Sequence, residues 1–318
     1  MTAAPPSPGG QRITICEVGP RDGFQAEPAL IPTDRKIVIA NAIFAAGLRH
    51  MQVTSLVSPR AVPQLADAEA VLAGIDRPEG SVVTALVPNL RGAMRAAAAG
   101  VDLVHTVVSA SETHNLKNVN RPVARSLSDF EAVFDILRGA GIGVEGGIAT
   151  AFGCPFEGVV PPERVARIAR RYQALGASRV SLGDTTGMAT PATVRAAIRA
   201  IREAAPGLEI GLHFHNTRGV GLACVMTGLE EGVTHYDASI AGLGGCPFAA
   251  GATGNIATED LAYLLEEGGY ETGVDLDRLI DAARLAQEVI GRPLPGQVMK
   301  AGPRLRRHDP DLTRTATG

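Results

Sequence analysis

The chain has 318 residues, 45% hydrophobic and 20% charged, with 30 Lys and Arg against 33 Asp and Glu for a net charge of −3. This is an ordinary globular composition, and the lack of a basic excess excludes nucleic acid as the expected partner. Trp is absent and aromatics make up 4%, which argues against an aromatic stacking platform or a membrane belt, and no apolar run approaches the ~18 residues of a membrane helix.

Residues 1–11 are rich in Pro, Gly and Ser with no apolar core, and read as a disordered lead. From there, short apolar runs alternate with longer amphipathic stretches. Strand-like runs fall at 13–18, 50–54, 81–87, 103–108, 143–149, 179–182, 209–214 and 235–240. Helix-like stretches fall at 34–46, 66–73, 90–99, 127–139, 162–175, 190–204, 219–231 and 258–267, with one more at 277–290. Ser126 and Thr190 supply cap signals, Pro162 and Pro191 sit in first turns, and Gly47, Gly100, Gly176 and Gly232 mark helix ends. Eight strand–helix units predict an α/β fold, a (β/α)8 TIM barrel over 12–270, with a C-terminal helical extension and polar tail over 271–318. A doubly wound open sheet is the rival, but no G-x-G-x-x-G follows the first strand. Cys16, Cys154, Cys224 and Cys246 are too few and too scattered for a disulfide framework. They fit a reducing compartment, so a cytoplasmic location is expected.

In such a barrel the chemistry sits at the C-terminal ends of the strands. EVGPRDGFQ follows the first strand and puts Arg21 and Asp22 at that rim. They read either as an oxyanion-holding arginine beside a cation-binding carboxylate or as an exposed turn pair. SLGDTTG ends the sixth strand, where Asp184 is either a general base, a partner to a metal-bound histidine, or a turn cap. GLHFHNTRG ends the seventh. His213 and His215 share a face there because side chains alternate with period two, and two imidazoles at a rim suit a divalent metal. After the eighth strand, SIAGLGGCPFAAGATGN is Gly- and Ala-rich, with Cys246 a candidate acid or nucleophile and Asn255 a candidate amide ligand or helix cap. His105, His114 and His235 stand alone and read as structural. Together Asp22, His213, His215 and Asn255 offer two oxygens and two nitrogens, a mixture that suits Mg²⁺ or Mn²⁺ better than Zn²⁺.

EVGPRDGFQ, TSLVSPRAVPQLADAE, PNLRG, SLGDTTG, HFHNTRG and SIAGLGGCPFAAGATGNIATEDL together resemble the 3-hydroxy-3-methylglutaryl-CoA lyase family, over about residues 12–291. The block around Cys246 is the most specific; the Arg-Asp and His-x-His motifs are shared with isopropylmalate and homocitrate synthases and with biotin-enzyme carboxytransferase domains. The resemblance implies a TIM barrel that uses Mg²⁺ or Mn²⁺ to cleave a tertiary 3-hydroxyacyl-CoA into acetyl-CoA and a keto acid. It implies Asp22, His213, His215 and Asn255 as metal ligands, with Arg21 on the thioester oxygen. Cys246 would be the catalytic cysteine and Asp184 a second carboxylate near the reacting hydroxyl. Arg21, Gln52, Ser55, Asn89 and Ser181 are the expected substrate contacts, with an acyl-CoA as partner, no membrane, and a homo-oligomer as the expected assembly. Two departures stand out: Gln52 occupies a strand position where these lyases carry Glu, and Asn216 and Arg218 replace Asp and Tyr. A lyase for a related thioester, such as citramalyl-CoA or an isoprenoid-tailed hydroxyglutaryl-CoA, and a metal-binding paralogue with little turnover are therefore the alternatives.

Overall fold

The computed structural model describes residues 9–245 and 254–307. Eight parallel strands close into a barrel in chain order: β1 Thr14–Glu17, β2 His50–Ser55, β3 Val82–Leu86, β4 Leu103–Ser109, β5 Gly143–Ala149, β6 Arg179–Asp184, β7 Glu209–Phe214 and β8 His235–Ala238. The first and last strands pair from Thr14–His235 to Glu17–Ala238, which leaves no open edge. Around them run α1 Thr33–Ala45, α2 Ala68–Gly74, α3 Leu90–Ala99, α4 Glu112–Val119, α5 Val123–Gly139, α6 Pro162–Leu175, α7 Pro191–Ala204, α8 Gly221–Glu230 and α9 Thr258–Glu267. Beyond these, α10 Leu276–Ile290 packs on α1, and the short α11 Val298–Ala301 packs on α9 and α10. Among the described residues no helix is long and apolar enough to cross a membrane.

The strands read as apolar runs because both of their faces are covered. Two elements differ from expectation. The fifth helix begins at Val123, after Pro122, so Ser126 is a buried interior residue that accepts from Asn115 Nδ2 at 3.0 Å instead of capping. A separate helix, α4, precedes it, opened by the Ser111 hydroxyl accepting from His114 N–H at 3.1 Å and ended by left-handed Asn120. Eight residues are too few for an amphipathic period to show.

Alternation turns every second strand residue toward the barrel axis. The lower interior holds a buried charged group on β4, β5 and β6. Glu145 Oε1 lies 2.9 Å from His105 Nδ1 and its Oε2 accepts from Arg179 Nη2 at 2.5 Å. Burial alone would raise the Glu145 carboxyl, but His105 and Arg179 hold it well below the usual carboxylate range. Removing one partner of such a pair strands the other in low dielectric. Arg179→Met should therefore cost about 3–5 kcal/mol at neutral pH, read from the urea midpoint. Because the folded-state pKa of Glu145 is depressed, the stability it contributes is present above its unfolded pKa of about 4.3 and is lost as pH falls. The gap between variant and parent should accordingly narrow in acid; an unchanged midpoint at neutral pH would contradict the pairing.

Candidate metal centre at the barrel rim

After β1 the chain makes one wide helical turn over Gly19–Gly23, with the N–H groups of Arg21 and Asp22 both returning to Val18 C=O at 3.1 and 2.7 Å. This turn aims two charged side chains over the barrel mouth. It is anchored by Glu17, whose carboxylate accepts from Gly19 N–H at 2.6 Å, Ile240 N–H at 2.9 Å and Thr258 Oγ1 at 2.6 Å. Glu17 thus ties the end of β1 to the segments that follow β8. Burial pushes its carboxyl up to about 7 against those three donors.

Arg21 is buried, and its guanidinium donates to Gln52 Oε1 and pairs with Asp22 Oδ1. On the facing side, His213 projects from β7 and His215 lies just beyond it, with their Nε2 atoms 3.3 Å apart. Asp22 Oδ2 lies 4.0 Å from His215 Nε2. One ligand atom each from Asp22, His213 and His215 falls within 4.8 Å of the others. Asn255 joins them because residues 254–257 run alongside the strand ends: His215 bridges Asn255, Ile256 N–H bonds Phe214 C=O at 3.0 Å, and Ser239 bridges Ala257.

Charge sorts the groups. Burial would raise Asp22, but Arg21, His213, His215 and the Asn255 amide outweigh it and hold the carboxyl far below its ordinary value. His213 Nδ1 is 3.1 Å from Asp237 Oδ2, and although burial opposes its charged form, Asp237 and Asp22 raise its pKa. Ser181 Oγ donates to the same Asp237 oxygen at 3.1 Å.

The donor set suits a hard or borderline cation. Asn255 spends both N–H bonds of its amide, one on Asp22 Oδ2 at 2.8 Å and one on Leu243 C=O at 3.0 Å. Its Oδ1 is buried with no hydrogen-bond partner among the described residues. A buried carbonyl oxygen without a partner costs free energy, and a cation satisfies it. Close by, Gly244 takes φ +112°, and a Cβ there would lie 2.6 Å from Asn255 Nδ2 and 3.2 Å from Asp22 Oδ2, so only glycine leaves the cradle open. A cavity of about 410 Å³ opens below, lined by Arg21, Asp22, His213, His215, Ser181 and Asp237 among others.

The structure thus brings together Arg21, Asp22, Gln52, Ser181, His213, His215 and Asn255. Three other expected residues hold local backbone. Asp184 pairs in register with Phe214, on the face opposite His213, and its Oδ1 accepts from Met188 and Ala189 N–H at 2.7 and 2.9 Å. It is the cap of the 185–190 turn, and burial pushes its carboxyl up to about 7. Ser55 Oγ accepts from Val57 N–H at 3.3 Å, closing a turn. Asn89 caps α3 through Gly92 N–H at 3.1 Å and is exposed outside the mouth. Cys246 lies outside the described residues. Arg218 is exposed yet tethered, donating to the carbonyls of Thr186 at 3.1 Å and Gly187 at 2.6 Å. Sequence reasoning missed Asp237, the carboxylate that orients His213. The period-two rule that paired the histidines would have found it, since His235, Asp237 and Ser239 share a face.

Comparison with known proteins gives one consistent picture. A family model described as HMGL-like matches residues 12–286. Hydroxymethylglutaryl-CoA lyase YngG of Bacillus subtilis is 44% identical over 287 residues, covering 90% of this chain and 96% of that protein. The mitochondrial hydroxymethylglutaryl-CoA lyase of Rattus norvegicus is 41% identical, covering 92% of this chain and 90% of that one. An HMG-CoA lyase from Acinetobacter baumannii, solved with coenzyme A and 3-methylmalate, superposes with a TM-score of 0.89 at 42% identity, covering 94% of this chain and 97% of the other.

Asp237→Asn keeps the size of the side chain but removes the charge that holds His213. Carboxylates behind ligating histidines set metal affinity, so Mn²⁺ binding read by calorimetry should weaken about 10–100-fold with the fold intact. Unchanged affinity would detach Asp237 from the centre.

Proposed function

The chain belongs to the HMGL-like family, and from that premise we propose that it is a divalent-cation-dependent carbon–carbon lyase that cleaves a 3-hydroxy-3-methylglutaryl-CoA thioester to acetyl-CoA and acetoacetate. The observation that carries this reading is the convergence of Asp22, His213 and His215 beside a buried arginine, with Asn255 bonded to Asp22 and its Oδ1 left without a partner among the described residues. Mg²⁺ or Mn²⁺ is the cation that this mixture of oxygen and nitrogen donors favours. When bound, the cation acidifies the substrate's C3 hydroxyl and orients it.

The protein's own groups supply the rest. The C3 hydroxyl gives up its proton to solvent at the open mouth; as the C2–C3 bond breaks, its electron pair moves onto the thioester as an enolate, and the C3 oxygen becomes the ketone of the keto acid. Arg21, braced by Gln52 and Asp22, is placed to donate to the developing enolate oxygen. A fixed fork of donors inside a largely buried site stabilises that charge without reorganising. Asp237 occupies Nδ1 of His213 and so keeps Nε2 turned toward Asp22 and His215. The proton that completes acetyl-CoA at C2 is assigned to Cys246, the residue after the cavity-lining Gly245. Gln52 serves as a neutral acceptor for Arg21, in place of the carboxylate that the family resemblance predicts, so proton transfer through position 52 is excluded. The reading places the enzyme in a reducing, cytoplasmic setting, supported by Cys16, Cys154 and Cys224, all free and buried.

With Mg²⁺ or Mn²⁺ present, the purified protein should release acetyl-CoA and acetoacetate from 3-hydroxy-3-methylglutaryl-CoA, and a chelator should stop it. Arg21→Met should lower kcat on the order of 10²–10³-fold, as the loss of other oxyanion donors does, while Mn²⁺ binding persists. Near-native turnover by that variant would remove Arg21 from the chemistry.

A further inference from the structure

We propose that His105 is a specificity-determining residue that binds the terminal carboxylate of the substrate's acyl chain, at the floor of the cavity. The inference rests on the lyase reading for the identity of that acyl chain, and on the following geometry for the site.

His105 lines the same cavity as Arg21, Asp22, His213 and His215, but from β4, near the floor. Its ring is aimed. Nδ1 lies 2.9 Å from Glu145 Oε1, and Glu145 Oε2 accepts from Arg179 Nη2 at 2.5 Å. Glu145 is held ionised by those two partners, so the Nδ1 position carries the proton and Nε2 is the nitrogen left for other contacts. The direction of Nε2 follows from its neighbour on β5: a Cβ built at Gly147 would lie 2.5 Å from His105 Nε2. Any side chain at 147 would displace the ring, so glycine is what lets His105 Nε2 sit there, beside the cavity wall. The rest of this wall is aliphatic or bare, formed by Val107, Gly147 and Ala149. His105 is therefore the one polar side chain that β4 and β5 offer to a ligand here among the described residues.

A 3-hydroxy-3-methylglutaryl thioester has two polar ends. The thioester and the C3 hydroxyl belong with Arg21 and the cation ligands at the rim. The free carboxylate needs a separate donor, because Arg21 is assigned to the thioester oxygen. A carboxylate at Nε2 would sit across the imidazole from Glu145, with one ring N–H directed to each. Arg179 pairs with the other oxygen of Glu145, so Glu145 is fixed from both sides. The Glu145–His105 pair is thus a preorganised receptor for one carboxylate, and it selects a dicarboxylic acyl group over a neutral one.

The test compares two free acids by calorimetry on the Mn²⁺-loaded protein: 3-hydroxy-3-methylglutarate and 3-hydroxy-3-methylbutyrate, which lacks the second carboxylate. The parent should prefer the dicarboxylate by about 10–100-fold, the range of a charge-assisted hydrogen bond. His105→Leu should abolish the preference. His105→Gln, whose amide reaches toward the Nε2 position, should restore part of it, and Gly147→Ala should weaken it by pushing the ring aside. With the thioester, His105→Leu should raise KM by a similar factor and leave kcat within a few-fold. A folded His105→Leu protein that keeps the preference overturns the inference, as does loss of kcat with KM unchanged. Should His105→Leu fail to fold, the Gln and Gly147→Ala proteins carry the same comparison. If the parent cleaves no thioester yet shows the His105-dependent preference, the lyase reading fails and the carboxylate site stands; cleavage without that preference is the reverse.

Discussion

Asp237 bonds Nδ1 of His213 at 3.1 Å, and the arrangement of the rim depends on that contact. A free imidazole rotates and changes tautomer. One whose Nδ1–H is committed to a buried carboxylate presents Nε2 in a single direction. Here that direction is toward His215 Nε2, 3.3 Å away, and toward Asp22. Asp237 is steadied in turn by Ser181, so β6, β7 and β8 hold one ligand nitrogen jointly. Asn255 is fixed on the other side by both of its amide N–H groups, one of them on Asp22 Oδ2.

The barrel makes this concentration of charge affordable. Two carboxylates, Glu17 and Glu145, are buried and a third, Asp237, is half-buried, with ionisable neighbours or backbone donors around them. Each has its own partners: backbone N–H groups and Thr258 for Glu17, His105 and Arg179 for Glu145, His213 and Ser181 for Asp237. Pairing within the closed barrel keeps these charges from competing for one counterion. It leaves the rim carboxylate Asp22 and the imidazole nitrogens of His213 and His215 directed at the mouth.

Most of the fold was legible because parallel strands covered on both faces are apolar runs, and capped amphipathic helices separate them. The strand bounds of β5 and β7 match the expected ranges to the residue. The grouping of Asp22, His213 and His215 was legible from two simple rules, chemistry at the C-terminal rim and alternation along β7. Alternation applied to β6 would have turned Asp184 away from the centre, and applied to β8 it would have revealed Asp237. Residue type alone hid both, since an aspartate after a Gly in a rim loop looks catalytic and one in mid-strand looks structural. The local roles of Ser55 and Asn89 were invisible for a different reason: a turn or cap bond depends on backbone geometry that short motifs do not specify. His105 read as a solitary histidine because Glu145 and Arg179 lie 40 and 74 positions away in sequence and meet it only when the barrel closes.

The central claim is that four side chains from three separate rim segments converge on one cation. Crystals grown with Mn²⁺ and measured near the manganese absorption edge test it directly. A single strong anomalous peak is expected at the mouth, in contact with Asp22, Nε2 of His213 and His215, and Oδ1 of Asn255. Manganese bound elsewhere in the barrel, or a peak at the mouth that leaves out Asn255 or either histidine, would contradict it.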